Sequence, residues 1–211
     1  MVLAGMLLLL AMLVAPANND DAMLAVPYRN QLNGTPYARA NCGPTALAMV
    51  LAYYDIDASP WDVRVKAMRA QHSWVDDEGG YSDGYGVFVY NLATVAESFG
   101  LEAVGLVQLE GGRADRLRRW DAADLRRQIR LGRPVIVQVE YRALPGNTGS
   151  MYDEDHYLVV HGLIGDDFVY SDPLGIRDRG PNLVVDEATL LNAMSGASSP
   201  RAAFAVRRAS S

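Results

Sequence analysis

The sequence predicts an α+β domain, a helical lobe followed by an antiparallel β lobe, and three observations predict it. Between residues 42 and 99 apolar positions recur at helical spacing, with proline near helix starts and Gly100 at an end. From Pro134 onward the pattern changes to β-branched and aromatic runs, PVIVQVEY, YLVVHGLI and FVY, the last two joined by Gly165-Asp166-Asp167. With 211 residues, 50% of them hydrophobic, the chain can bury a sizeable core without disulfide staples.

The elements follow in chain order. Val2 to Ala15 is an apolar run of about 14 residues, short for a membrane span and suited to the core of a signal peptide. Ala15-Pro16-Ala17 offers an A-x-A cleavage site before the polar Asn18 to Asp21, although no Lys or Arg precedes the run. Residues 1–24 are therefore expected to be a signal peptide or N-terminal hydrophobic anchor plus a polar linker, and residues 25–211 the domain. It would be exported, extracellular or membrane-anchored with the domain outside, and cytoplasmic if the run is not a signal.

Asn41 is placed to cap a helix with Pro44 in its first turn, and Thr45 to Tyr54 is apolar on nearly every face, as in a helix buried all round. Further helices are expected from Pro60 to Gln71 and from Val87 to Phe99, with Asp76 to Gly86 as a loop. Asp121 with Asp124 three residues on opens a short helix that stops at Gly132. Strands follow over 134–141, 157–164 and 168–170, then a helix over 186–194 and a strand over 202–206.

The formal charge of −6 and pI near 5.0 argue against nucleic acid or an anionic membrane surface as partner, leaving a membrane role only to the N-terminal anchor. Arg113 to Arg133 is locally basic, but Asp115, Asp121 and Asp124 interrupt it, and it reads as a solvated helix face.

Cys42 is the sole cysteine, so no internal disulfide is available to it. It stands where a polar loop becomes an apolar helix. A helix N-terminus supplies unpaired N–H groups and the positive end of the dipole, which favour the reactive thiolate. Burial as a small core residue is the competing explanation. A cysteine nucleophile needs a base, and the base an orienting group. Of the three histidines, His72 precedes a polar loop, His156 stands at the mouth of a strand, and His161 lies within an apolar run and reads as a core residue. Asp172 ends the partner strand. Counting a hairpin whose turn is Asp166-Asp167 puts Asp172 opposite His161, and a bulge or another turn would move it, so the ladder leaves the two histidines open.

The segments NCGPTALAMVLAYY, GRPVIVQVEY and DHYLVVHGLIGDDFVYSDP, in this order, resemble the bacteriocin-processing (double-glycine) peptidases and their peptidase-like relatives, within the papain-like cysteine peptidases. The resemblance spans about residues 25 to 208. It implies the papain-like fold, Cys42 as nucleophile, His156 as base and then acid, and Asp172, sixteen positions on, as orienter of the imidazole. It also implies Gln31, eleven residues before Cys42, as an oxyanion donor beside the Cys42 N–H. No cofactor is implied, and the partner is a peptide or protein substrate. Exporting members fuse the peptidase to a transporter. This chain carries neither a second apolar span nor a phosphate-binding glycine loop, which leaves double-glycine specificity unsupported, and its own Gly79-Gly80 and Gly111-Gly112 read as turns.

Three rivals remain. Asp153 to His156, or Asp76 to Glu78, could gather a cation, without any recognised ligand spacing. The same Cys-His-Asp chemistry serves acyl transfer, including transpeptidation, and a noncatalytic domain could hold a peptide in the cleft. The expectation is a cysteine peptidase.

Overall fold

The structure is a computed structural model describing residues 21–35, 37–71, 86–110, 113–176 and 179–209. The N-terminal apolar run, His72, the Asp76 to Glu78 loop and both glycine pairs lie outside the described residues.

Three helices come first: α1 (Cys42–Tyr53), α2 (Pro60–Ala70) and α3 (Val89–Ser98). α1 has no polar stripe and is buried without interruption from Cys42 to Leu51. Ser59 and Asp62 close a capping box on α2, and Gly100, at φ +81°, ends α3 in the left-handed region. Later come α4 (Ala122–Arg130), with the Asp121/Asp124 capping box, and α5 (Glu187–Gly196), capped by Asp186.

The strands are β1 (Ala22–Met23), β2 (Leu101–Val104), β3 (Val107–Glu110), β4 (Arg113–Leu117), β5 (Val135–Glu140), β6 (Asp155–Ile164), β7 (Asp167–Ser171), β8 (Leu183–Val185) and β9 (Ala203–Arg208). Seven of them form one antiparallel sheet in the order β2-β9-β5-β6-β7-β8, with β1 pairing beside β6. β3 and β4 make a separate two-stranded ribbon. This corrects the reading of Arg113 to Arg133 as one solvated helix face: residues 113–117 pair as a strand, and the helix is confined to α4. It also adds strand structure after α3. β2 pairs with β9, about a hundred residues away, with Glu102 opposite Arg207 and joined to it by two hydrogen bonds, one of 2.9 Å. No local turn announces such a partner.

Alternation along the strands divides the core. Ile136, Tyr157, Val159, Phe204 and Val206 pack with α1, α2 and α3. Val135, Val137, Val139, Leu158, Val160 and Ala205 pack with α4 and α5. Both faces of the central strands are therefore covered, which is why PVIVQVEY and YLVV are nearly continuous apolar runs.

The hairpin turn between β6 and β7 is Gly165-Asp166, because Ile164 already pairs with Asp167, and not Asp166-Asp167. Gly165 takes φ +56°, open to glycine without a Cβ penalty. The ladder then slips by one: Gly162 faces Val169 but Val160 faces Tyr170, so His161 is the extra residue of a bulge.

Candidate active site

Cys42 is the first residue of α1 and is 5% exposed. Asn41 holds the N-cap position, but its side chain makes no cap hydrogen bond, contrary to expectation. Its Oδ1 instead accepts from Arg64 Nη1 at 3.1 Å. A charged donor outcompetes a neutral amide, and Pro44 removes one of the N–H groups a cap would have served. The Asn41 carbonyl still accepts the first helical bond, from Thr45 N–H at 2.8 Å. Among the described residues, the Cys42 and Gly43 N–H groups have no acceptor.

His156 is the second residue of β6, opposite Val139. It begins the strand as expected, but it is fully buried and not at an open mouth. Tyr141 and Tyr152 meet its ring edge-on, with centroids 5.0 and 6.1 Å away. Its Nε2 lies 2.6 Å from Asp172 Oδ1. That oxygen also accepts from Leu174 N–H at 2.8 Å, and the Asp172 main chain is tied to Gly180 and to the Tyr28 hydroxyl. The acid is thus held from several sides. Nδ1 of His156 is buried and takes no hydrogen bond from those partners, while the Cys42 thiol acts on the same ring. Burial opposes a charged imidazole, but the Asp172 charge and hydrogen bond, with the Cys42 sulfur, outweigh it and push the His156 pKa up to about 10. The imidazolium is the favoured form at neutral pH.

With the bulge at His161 the ladder pairs Val159 with Ser171, which turns Asp172 to the face shared by Leu158 and His156, and its carboxylate meets His156, not His161. His161 Nε2 lies 3.0 Å from Ser171 Oγ, its Nδ1 is buried without a partner, and burial holds its pKa below the ordinary 6.5. A measurable consequence follows for stability. The folded protein keeps His161 neutral while the unfolded chain takes up a proton below 6.5, so stability falls as pH drops through that value. His156, whose folded pKa is raised, contributes a slope of the opposite sign until its unfolded form is fully protonated below 6.5, and because both proteins carry it the comparison isolates His161. Urea midpoints from pH 7 downward are expected to fall more steeply for wild type than for His161→Gln.

Gln31 is buried between the two halves of the site. Its main-chain N–H donates to Pro173 O at 2.8 Å, and its Nε2 donates to the carbonyls of Ala38 and Arg39, each at 3.1 Å. Its amide donors are therefore engaged on the short 3-10 turn Ala38–Ala40 that leads into Cys42.

Cys42 lines a cleft of about 1050 Å³ together with Tyr37, Arg39, Val87, Phe88 and Tyr152 to Asp155. The Asp155 carboxylate is fixed by Gln138 Nε2 at 2.8 Å and by Ser198 N–H at 2.9 Å. Tyr141, Tyr152, Arg64 and Gln138 are site residues that the sequence did not single out. Nothing in their local spacing marks them, because each is brought in by sheet or helix packing. Among the described residues, no three His, Cys, Asp or Glu side chains gather as metal ligands, and no helix is long and apolar enough to cross a membrane.

Mixed helices and an antiparallel sheet form a papain-like frame, on which Cys42 starts a helix and the buried His156 pairs with Asp172. The sequence matches the Peptidase_C39 like family over residues 23–195, and the chain belongs to that family. A crystal structure assigned as a C39-like peptidase from Bacillus anthracis is similar at 18% identity and TM-score 0.63, covering 90% of this chain and 99% of that one. A double glycine motif protease from an AMS/PCAT transporter, in complex with its leader peptide, is similar at 18% identity and TM-score 0.49, covering 89% and 95%. The peptidase domain of Streptococcus ComA, a bi-functional ABC transporter in a quorum-sensing pathway, is similar at 16% identity and TM-score 0.46, covering 80% and 90%. A search of curated proteins found no match.

Proposed function

We propose that the protein is a cysteine peptidase that hydrolyses peptide bonds through a thioester on Cys42. The observation that carries this reading is the buried His156 ring, set 2.6 Å from the Asp172 carboxylate, with the ring's pKa raised against its burial by that charge and by the Cys42 sulfur. The Cys42 thiolate attacks the scissile carbonyl, forming the C–S bond as the carbonyl pair moves to oxygen. The oxyanion is met by the Cys42 N–H at the positive end of α1. The His156 imidazolium gives its proton to the leaving amine, then takes one from the water that cleaves the thioester. Gln31, tied to both Pro173 and the turn before Cys42, spans the two halves of the site in support of this arrangement.

The cleft wall of Asp153, Glu154 and Asp155 favours basic or neutral peptides. Incubating a mixed peptide library with wild type and Cys42→Ala, read by mass spectrometry with and without amine acceptors, is expected to give Cys42-dependent cleavage. Amine adducts without hydrolysis would make the protein an acyltransferase, and unchanged peptide retained by both a binding domain. The preference for basic peptides is expected to weaken between low and high salt, as exposed charges are screened. Export is part of the proposal: N-terminal sequencing from the native host should begin near Asn18.

A further inference from the structure

Arg64, in the middle of α2, is fully buried, an unfavourable place for a cation that cannot shed its proton. It lies behind the segment that leads into Cys42 and holds it at both ends. Its guanidinium carbon is 4.8 Å from the centroid of the Tyr37 ring, and its Nη1 donates to Asn41 Oδ1 at 3.1 Å. Tyr37 takes φ +60°, a left-handed conformation that a bulky residue seldom adopts without support, and it lines the cleft. Asn41 is the N-cap of α1. Asparagine there ordinarily turns its side-chain oxygen onto the first-turn N–H groups. With Pro44 lacking an N–H, the group it would cover is Gly43, next to the reacting residue. Diverted to Arg64, Asn41 leaves the Gly43 N–H without an acceptor among the described residues, and the Cys42 N–H, which a cap does not reach, has none there either.

We infer that Arg64 is a positioning residue for the reaction proposed above: by holding the Tyr37 ring and the Asn41 side chain at the two ends of the segment that leads into α1, it fixes the main chain at Cys42 so that the Cys42 N–H can donate to the reacting carbonyl oxygen. The inference rests on the cysteine-peptidase reading. It has added weight because the Gln31 amide donates to Ala38 and Arg39, which leaves the backbone donor as the principal one.

Two reagents separate this role from simple support of the fold. Iodoacetamide alkylates a thiolate without building charge on a carbonyl oxygen. A peptide aldehyde ending in glycinal adds to Cys42: the C–S bond forms, the carbonyl pair moves to oxygen, and that oxygen takes the proton of His156, so the adduct places oxygen where the oxyanion would be. Arg64→Lys keeps the charge but not the planar fork. It is expected to weaken aldehyde binding by about tenfold or more while leaving the iodoacetamide rate near that of wild type. Asn41→Ala is expected to do the same, and the double variant to be no worse than either single one. Asn41→Asp, which retains an acceptor for the guanidinium, should restore binding. If Arg64→Lys does not fold, the Asn41→Ala and Asn41→Asp pair carries the comparison. Folded variants with wild-type aldehyde affinity, or a parallel fall with both reagents, would overturn the inference. Aldehyde binding by wild type that Cys42→Ala leaves intact, or no binding by wild type at all, would overturn the cysteine-peptidase reading itself and this inference with it.

Discussion

Replacing His156 with alanine is expected to lower kcat by a factor on the order of 10⁴ to 10⁶ and to abolish iodoacetamide labelling of Cys42 at about pH 6. In the proposed mechanism the ring is the base, the acid and the cation that favours the thiolate, so one substitution removes all three roles. Its charged state is favoured in the fold, where Asp172 and Cys42 outweigh the burial that opposes it. His161→Ala is expected to behave differently. It deletes a buried ring and strands Ser171 Oγ, costing about 2–4 kcal/mol of stability, with kcat retained in the folded fraction. Denaturation midpoints and turnover measured on both variants decide the assignment. If His161→Ala loses turnover and His156→Ala loses only stability, the triad has been placed on the wrong histidine.

Those two histidines also show what was legible before folding. The apolar block after Cys42 could only be a helix buried on every face, and α1 is one. The paired Asp121 and Asp124 announced the start of α4, and the β-branched runs announced β5, β6 and β7. Counting the ladder outward from an assumed turn failed, for two local reasons. The turn begins one residue earlier, at Gly165, and the bulge at His161 slips the register again. The first moves the partner of a given residue by two positions and the second by one more, and neither leaves a trace in composition. The family resemblance named His156 and Asp172 together, and their side chains lie 2.6 Å apart. β2 was invisible for a different reason, since its partner β9 is at the far end of the chain. Asn41 misled because capping preference is local, whereas the group that claims its side chain, Arg64, arrives from another helix.

Asp172 provides the second large effect, and its substitutions separate orientation from charge. Asp172→Ala is expected to lower kcat by roughly 10³-fold, because nothing then holds the ring against the thiol. Asp172→Asn should lose far less, roughly tenfold, since a doubly protonated imidazolium can donate to the amide oxygen and has no wrong tautomer to adopt. Both changes remove the negative charge. In wild type the alkaline limb of kcat/KM should follow the loss of the His156 proton at about 10. Without Asp172, the burial that lowers the pKa gains ground, and the limb should move to lower pH by about one unit or more. Stability responds with the same sign. A raised folded pKa contributes fully below the unfolded value of 6.5 and is lost as pH rises from there through about 10, so wild type should lose stability across that window while Asp172→Ala stays flatter. Urea midpoints and pH–rate profiles for the three proteins test both statements. Equal losses for Asn and Ala with an unmoved alkaline limb would mean that Asp172 acts through neither charge nor orientation, and that the His156 ring is held and charged by some other group.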